Sequence, residues 1–419
     1  MLTVAPSGRW LERDHDPWFL LGDTAWELFH RLDLDDADHY LRTRAEQGFN
    51  TVFAVGVAEF GGLDEPNANG QVPFIDRRPD QPDERYWHHV DTIITMANQY
   101  GLVVALLPTW GTYWADAGEA ILHPGNAAQF GSWIAARYRD SDLIWVLGGD
   151  RYIETSRHRA TLDALAKGIR ETVGHRQLIT VHPRGHASSK NDLSDATWID
   201  FDLVQSGHVG WHTPNDALIA ADYDRPPLRP VLEGEPNYED HPVMTPDWLP
   251  VPGWVFGATD VRRSLYHAIF AGAAGFVYGA NGVYQMLDSD TPDPVHGRAT
   301  SWRAALDLPG ASQATHGAHL LRELGPGWTP APHRLRSAPG FLSGRVMVLD
   351  RNTPTEVLVY LPPGATATID TEDLGCAPSG RWWSTVTGRW RTADLTAQPT
   401  TVNPDQDVDT ILHIAARPA

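Results

Sequence analysis

The chain of 419 residues has a single cysteine, Cys376. That count excludes an internal disulfide framework and any cysteine-built metal cluster. The thiol sits in DLGCAPSG, far from any histidine-rich segment. It is expected to be a core or loop residue rather than a nucleophile. Positive charge is also scarce, with 33 Lys and Arg against 53 Asp and Glu and a net charge of −20. Such a surface is wrong for the phosphates of nucleic acid. It suits a neutral glycan or small molecule. No apolar run approaches the roughly 20 residues needed to cross a bilayer. The opening, MLTVAPSGRWLERDHDPW, has no basic region followed by an apolar one, so a cytoplasmic, non-membrane protein is expected. Internal repeats and low-complexity tracts are missing as well.

What is abundant is tryptophan. Seventeen indoles are roughly three times ordinary usage. Each offers a broad apolar face with one polar handle. Most must pack the core and the domain interface; those on loops are candidates to line a sugar-binding cleft.

Short apolar runs alternate with longer amphipathic segments. Eight runs read as strands: 19–26, 50–60, 102–110, 143–150, 178–185, 202–208, 230–236 and 274–284. Helical patterns fall at 35–48, 86–101, 126–139, 156–174, 214–223, 260–272 and 312–324. The alternation predicts an α/β fold, a (β/α)₈ TIM barrel, whose parallel strands are apolar on both faces. A doubly wound open sheet is the competitor, but no glycine-rich phosphate fingerprint follows the first strand. From 325 to 340 the chain turns rich in Pro and Gly. Short strands without helix follow, which predicts a C-terminal antiparallel β-sandwich. The expected division is a catalytic barrel over residues 1–330 and an accessory domain over 331–419.

Barrels of this kind build their sites from strand ends and the loops after them. Those positions hold Asp23 and Trp26 on the first strand, Glu59 on the second, and Trp110 with Trp114 after the third. Asp150 ends the fourth, His182 the fifth, Gln205 and His208 the sixth, and Asn281 with Tyr284 the eighth. The seventh ends in PVLEGEPNYED (230–240), with four carboxylates. Side chains at i and i+2 share a face. On that count Glu233 and Glu235 point into the barrel, and Leu232 and Gly234 point toward the helices. Glu235 is then the mouth acid and Glu233 a buried acid that orients a neighbour. Tyr238 and Glu239 are expected to frame a sugar, and Asp240 to be a solvated loop charge. Ile144, Val146, Gly148 and Asp150 share a face in the same way.

One acid on strand four and one on strand seven suit glycosidic bond cleavage. One protonates the leaving oxygen, while the other attacks the anomeric carbon or activates water. Two other classes compete: a silent glycan-binding protein, and a metal hydrolase using His182, His208 and Asp23. The first strand reads GDTAW rather than the H-x-H usual in metal-dependent barrels, so neither metal nor cofactor is expected.

LLGDTAWELFHRL (20–32), LIWVLGGDR (143–151), VQSGH (204–208) and RPVLEGEPNYED (229–240), in this order, resemble the apiosidase-like glycoside hydrolases. So does DVRRSLYHAIFAGAAGFVYGANGVYQ (260–285). The resemblance implies a retaining barrel with Asp150 as general acid/base and Glu235 as nucleophile, releasing apiose from a plant pectin. GRWWSTVTGRW resembles the β-domain that follows this barrel and carries a collagen-binding label in that family.

Overall fold

The computed structural model describes residues 1–210, 214–288, 294–297, 300–337, 345–352, 355–374, 378–395, 400–402 and 407–416. Cys376 lies outside the described residues. All eight expected strands are present: β1 (Leu20–Thr24), β2 (Thr51–Val55), β3 (Val103–Leu107), β4 (Leu143–Gly148), β5 (Ile179–His182), β6 (Asp202–Gln205), β7 (Val231–Glu233) and β8 (Gly275–Tyr278). They form one curled parallel sheet in the order β5-β4-β3-β2-β1-β8-β7-β6. The ends of this row meet at a seam between β5 and β6. There Asp200 N–H donates to the Ile179 carbonyl at 2.9 Å, and Thr180 Oγ1 donates to the Phe201 carbonyl at 2.6 Å. Each barrel strand is buried throughout its length.

A helix follows every strand: α1 (Leu34–Gln47), α2 (Glu84–Gln99), α3 (Ala127–Arg137), α4 (Ser156–Val173), α5 (Ser189–Leu193), α6 (Asn215–Tyr223), α7 (Ala258–Phe270) and α8 (Pro309–Leu324). Local chemistry sets their ends. Asp33 caps α1 by accepting from Asp36 N–H at 2.9 Å, and Gly48 stops it at φ 101°. Asp83 and Thr155 cap α2 and α4 in the same manner. Among the described residues no helix is long and apolar enough to cross a membrane.

The C-terminal part is a separate antiparallel domain. Its main sheet contains β9 (Met347–Asn352), β10 (Thr355–Leu361), β11 (Ser379–Ser384), β12 (Arg389–Ala393) and β13 (Thr410–Ala415), in the order β9-β10-β13-β11-β12. Thr329–Pro330 adds an edge beside β9. A smaller sheet of Leu335–Ser337, Ala367–Ile369 and Thr400–Val402 accompanies it. Alternation along β10 divides its side chains between two cores. Val357, Val359 and Leu361 join the core of the small domain, while Leu358 and Tyr360 join that of the barrel. The contact runs along α7 and α8. Tyr266 stacks on Tyr360 at 5.8 Å and Trp383 Nε1 donates to Tyr266 at 3.4 Å. Arg262 donates to Asp409 at 2.7 Å, and Trp390 Nε1 to Glu323 at 2.8 Å.

Candidate active site

The C-terminal ends of the strands surround a cleft of about 320 Å³. Asp150, Glu235, Glu59, Trp26, Trp110, His208 and Tyr238 line it, together with Phe60, His241, Trp248, Tyr284, Val295 and His296.

Glu235 reaches this cleft by a route the alternation argument did not anticipate. β7 ends at Glu233, and the N–H groups of Gly234 and Glu235 both donate to the Val204 carbonyl, at 2.8 and 3.3 Å. Two residues opposite one carbonyl make a bulge, which shifts side-chain alternation by one. Leu232 therefore lies on the barrel side: a methyl on the in-register Gly275 would meet both Leu232 and Leu20. Glu233 turns outward instead. It accepts from Ser206 N–H at 3.3 Å and interacts with Asn215 at the start of α6. The expectation that Glu233 and Glu235 share an inward face is thus corrected by the bulge.

Asp150 also lies beyond its strand. Gly148, Gly149 and Asp150 are all left-handed, with φ of 92°, 105° and 56°. Side chains rarely adopt this region, and here two glycines carry most of the turn. A methyl on Gly149 would come within 2.6 Å of Gly111 N, and one on Gly148 would collide with the His182 carbonyl. Trp114 Nε1 donates to the Gly148 carbonyl at 2.8 Å and braces the turn from outside the cleft. The turn, rather than continued alternation, aims Asp150.

Three donors converge on the Glu235 carboxylate. His182 Nε2 lies 3.0 Å from Oε2, while Gln205 Nε2 and His208 Nε2 lie 3.0 and 3.3 Å from Oε1. A carboxylate only accepts, so both imidazoles present N–H. Burial pushes Glu235 up, but the bonds and charges of His182 and His208 outweigh it and hold the acid well below its ordinary range. Asp150 goes the other way. Burial first, and then the charge of Glu235, push it up to about 6. Gln205 bears on both acids, since it donates to Glu235 and also opposes the rise of Asp150. Glu59 is pushed up to about 8, mainly by burial, against the opposing charge of Arg151 at 3.7 Å. Trp26, Trp110 and His182 form an aromatic cluster, their ring centroids 5.4 to 5.8 Å apart. Two carboxyl groups displaced in opposite directions, beside aromatic faces, can supply a proton donor and a nucleophile to one sugar.

A family model described as "Apiosidase-like, catalytic domain" matches residues 5–326. The chain belongs to the apiosidase-like family. Two solved structures extend the likeness over the whole molecule. A glycoside hydrolase family 5 protein from Bacteroides vulgatus is 27% identical, with a TM-score of 0.88, over 99% of this chain and 93% of that one. A second protein, described as a glycoside hydrolase, is 26% identical with a TM-score of 0.87, over 99% and 96%. A family 5 mannosidase from Rhizomucor miehei shares the fold alone, at 11% identity and a TM-score of 0.53 over 77% of this chain and 98% of that one. No curated protein gives a match. This apiosidase-like chain is a glycosidase, a TIM barrel that acts on carbohydrate, and it carries a β-domain at its C-terminal end.

The apiosidase-like barrel does not bring every expected residue to the cleft. His182 and Gln205 stand behind Glu235. Asp23 faces the helices: it accepts from Tyr40 at 2.6 Å and from Arg44 Nε at 2.7 Å, a fully buried ion pair. Asp23 is therefore far from any ligand set with His182 and His208, both of which turn to Glu235. Among the described residues no cluster of three or more His, Cys, Asp or Glu is arranged to hold a metal ion. Trp114 braces the 148–150 turn, and Asn281 Nδ2 donates to the Asp240 carbonyl at 3.2 Å, tying down the exit from β7. Glu239 does not frame a sugar; it accepts from Tyr278 at 2.7 Å and from Gly310 N–H at 3.1 Å. Nor is Asp240 a free loop charge, since it accepts from Thr300 N–H at 2.9 Å.

His241, Trp248 and His296 lie outside the residues singled out from the sequence. They sit on loops after β7 and β8, where no periodicity marks a side chain as facing the cleft. The run of apolar residues from 242 to 255, with two tryptophans and four prolines, was the available signal.

Proposed function

We propose that the enzyme is a retaining, exo-acting glycosidase that removes a terminal sugar from plant-derived oligosaccharides. The sugar is apiose or another furanoside or pyranoside of that size. Glu235 is the nucleophile and Asp150 the general acid/base. The observation that carries this reading is the opposite displacement of the two acids. Glu235 is held ionised by His182, His208 and Gln205, and Asp150 is pushed up to about 6. In the first step Asp150 gives its proton to the glycosidic oxygen while Glu235 attacks the anomeric carbon. In the second, Asp150 takes a proton from the water that releases the sugar. Residues 331–419 serve as a buttress packed on α7 and α8.

The test is hydrolysis of aryl glycosides and pectin-derived oligosaccharides, with the first-formed anomer read by NMR. Retention, and loss of turnover in folded Glu235→Gln and Asp150→Asn, are the expected results. Inversion, or full activity in either variant, overturns the assignment.

A further inference from the structure

Trp248 is the odd side chain of the cleft. The chain leaving β7 forms an antiparallel hairpin of Pro242–Met244 and Pro250–Val255, closed by a tight loop at 245–249. Thr245 N–H donates to the Leu249 carbonyl at 2.9 Å, Trp248 N–H to the Thr245 carbonyl at 2.9 Å, and Leu249 N–H to Thr245 Oγ1 at 3.2 Å. These bonds hold Trp248 at φ 58°, the left-handed region that a bulky residue rarely occupies. Such an outlier survives only where the surroundings over-determine it, and it concentrates at ligand clamps.

The indole lines the same cleft as Asp150 and Glu235, yet is 41% exposed. Its ring lies 6.0 Å from His296, inclined by 33°, on one side. On the other, its Cζ2 is 3.7 Å from where a methyl on Gly185 would stand. Trp248 therefore bridges the loops after β5 and β8 at the outer edge of the cleft. The inner aromatics, Trp26 and Trp110, are fully buried near the acids. The cleft thus has two aromatic levels, one deep and one at the rim. A lipid is a poor occupant of this cleft, because Glu59, Asp150, His208, His241 and His296 line it, and His296 lies beside Trp248 itself. A sugar ring suits it, with a C–H face for the indole and hydroxyls for the imidazoles and carboxyls.

We propose that Trp248 is the stacking platform for a second sugar ring, the leaving-group unit next to the one cleaved. This rests on the glycosidase mechanism above and adds that the enzyme reads at least two linked sugars.

The experiment compares the full chain with Trp248→Ala, Trp248→Tyr and Trp248→Gly on two probe sets. One is short plant cell-wall oligosaccharides; the other is the matching glycosyl fluorides, whose leaving group has no ring. On oligosaccharides the Ala and Gly variants are expected to lose roughly ten- to hundredfold in kcat/KM, and Tyr to keep most of it. On the fluorides all variants stay within about twofold of wild type. The Tm of Trp248→Gly does not fall, because glycine accepts this backbone freely. Equal losses on both probe sets, or unchanged oligosaccharide turnover, overturn the platform. Oligosaccharide cleavage abolished by Glu235→Gln but indifferent to every Trp248 variant removes the platform alone. A wild-type chain that cleaves neither set removes the mechanism and the platform together.

Discussion

His182 Nε2 lies 3.0 Å from Glu235 Oε2, joining the end of β5 to the loop after β7 across the barrel mouth. The contact holds the seam side of the barrel to the proposed nucleophile and favours its ionised form.

Under the proposed mechanism, activity requires ionised Glu235 and protonated Asp150. With Asp150 at about 6, kcat/KM is expected to fall as pH rises through that value. Its acidic limb belongs to Glu235 and lies well below the ordinary carboxylate range. In His182→Asn one charge-assisted bond is lost, so the acidic limb moves up and kcat/KM drops about 10- to 100-fold. Glu235→Gln removes the charge that raises Asp150, and NMR titration of Asp150 should show its pKa decrease. A pH profile flat from 5 to 8 would contradict this pairing.

Asp23 is expected to matter for folding and not for turnover. Arg44→Met leaves its carboxylate buried without a counter-charge, which costs about 3–5 kcal/mol. Denaturant unfolding and kcat per folded molecule separate the two roles. A loss of kcat at unchanged stability would return Asp23 to the active site.

Glu233 makes stability pH-dependent. Burial raises it from 4.5 to about 8 in the native state. Between those values the unfolded chain releases a proton that the native chain keeps, so native stability falls as pH rises. Glu233→Gln is neutral at every pH and nearly the same shape. It is expected to flatten that slope and to stabilise the protein at pH 8 relative to wild type, with little change near pH 4.5. Equal effects at both pH values would show that burial does not set the protonation state of Glu233.

The Arg262–Asp409 pair and the Tyr266–Tyr360 stack join the two domains and are expected to make them unfold together. Asp409→Ala is expected to lower the stability of the whole chain by about 3–5 kcal/mol, since it leaves Arg262 buried without its counter-charge. Calorimetry should show one transition in the wild type. Two separated transitions would mean that the interface does not couple them.

The strand and helix pattern was legible because burial on both faces leaves a continuous apolar run, and a helix packed on one side leaves a 3.6-residue period. Caps such as Asp33 and stops such as Gly48 are equally local. Asp150 and Glu235, both of which line the cleft, could be named as candidates from strand ends and family motifs. The orientations of Asp23, Glu233, Glu239 and Asn281 could not, although each sits in the same kind of segment. Asp23 looks outward because Arg44, 21 residues on, brings a counter-charge to the helix side.

The sequence by itself determined the fold, with its barrel and C-terminal β-domain, and marked the strand ends that carry the two proposed acids, since composition, periodicity and short motifs are properties of neighbouring residues. Only the tertiary structure decided how those acids are aimed and charged. The bulge at Gly234–Glu235 depends on a carbonyl of β6, and the turn at 148–150 on the backbones of Gly111 and His182. The protonation split depends on donors from β5 and β6. Such relations join residues far apart in the chain, and burial and charge act through space.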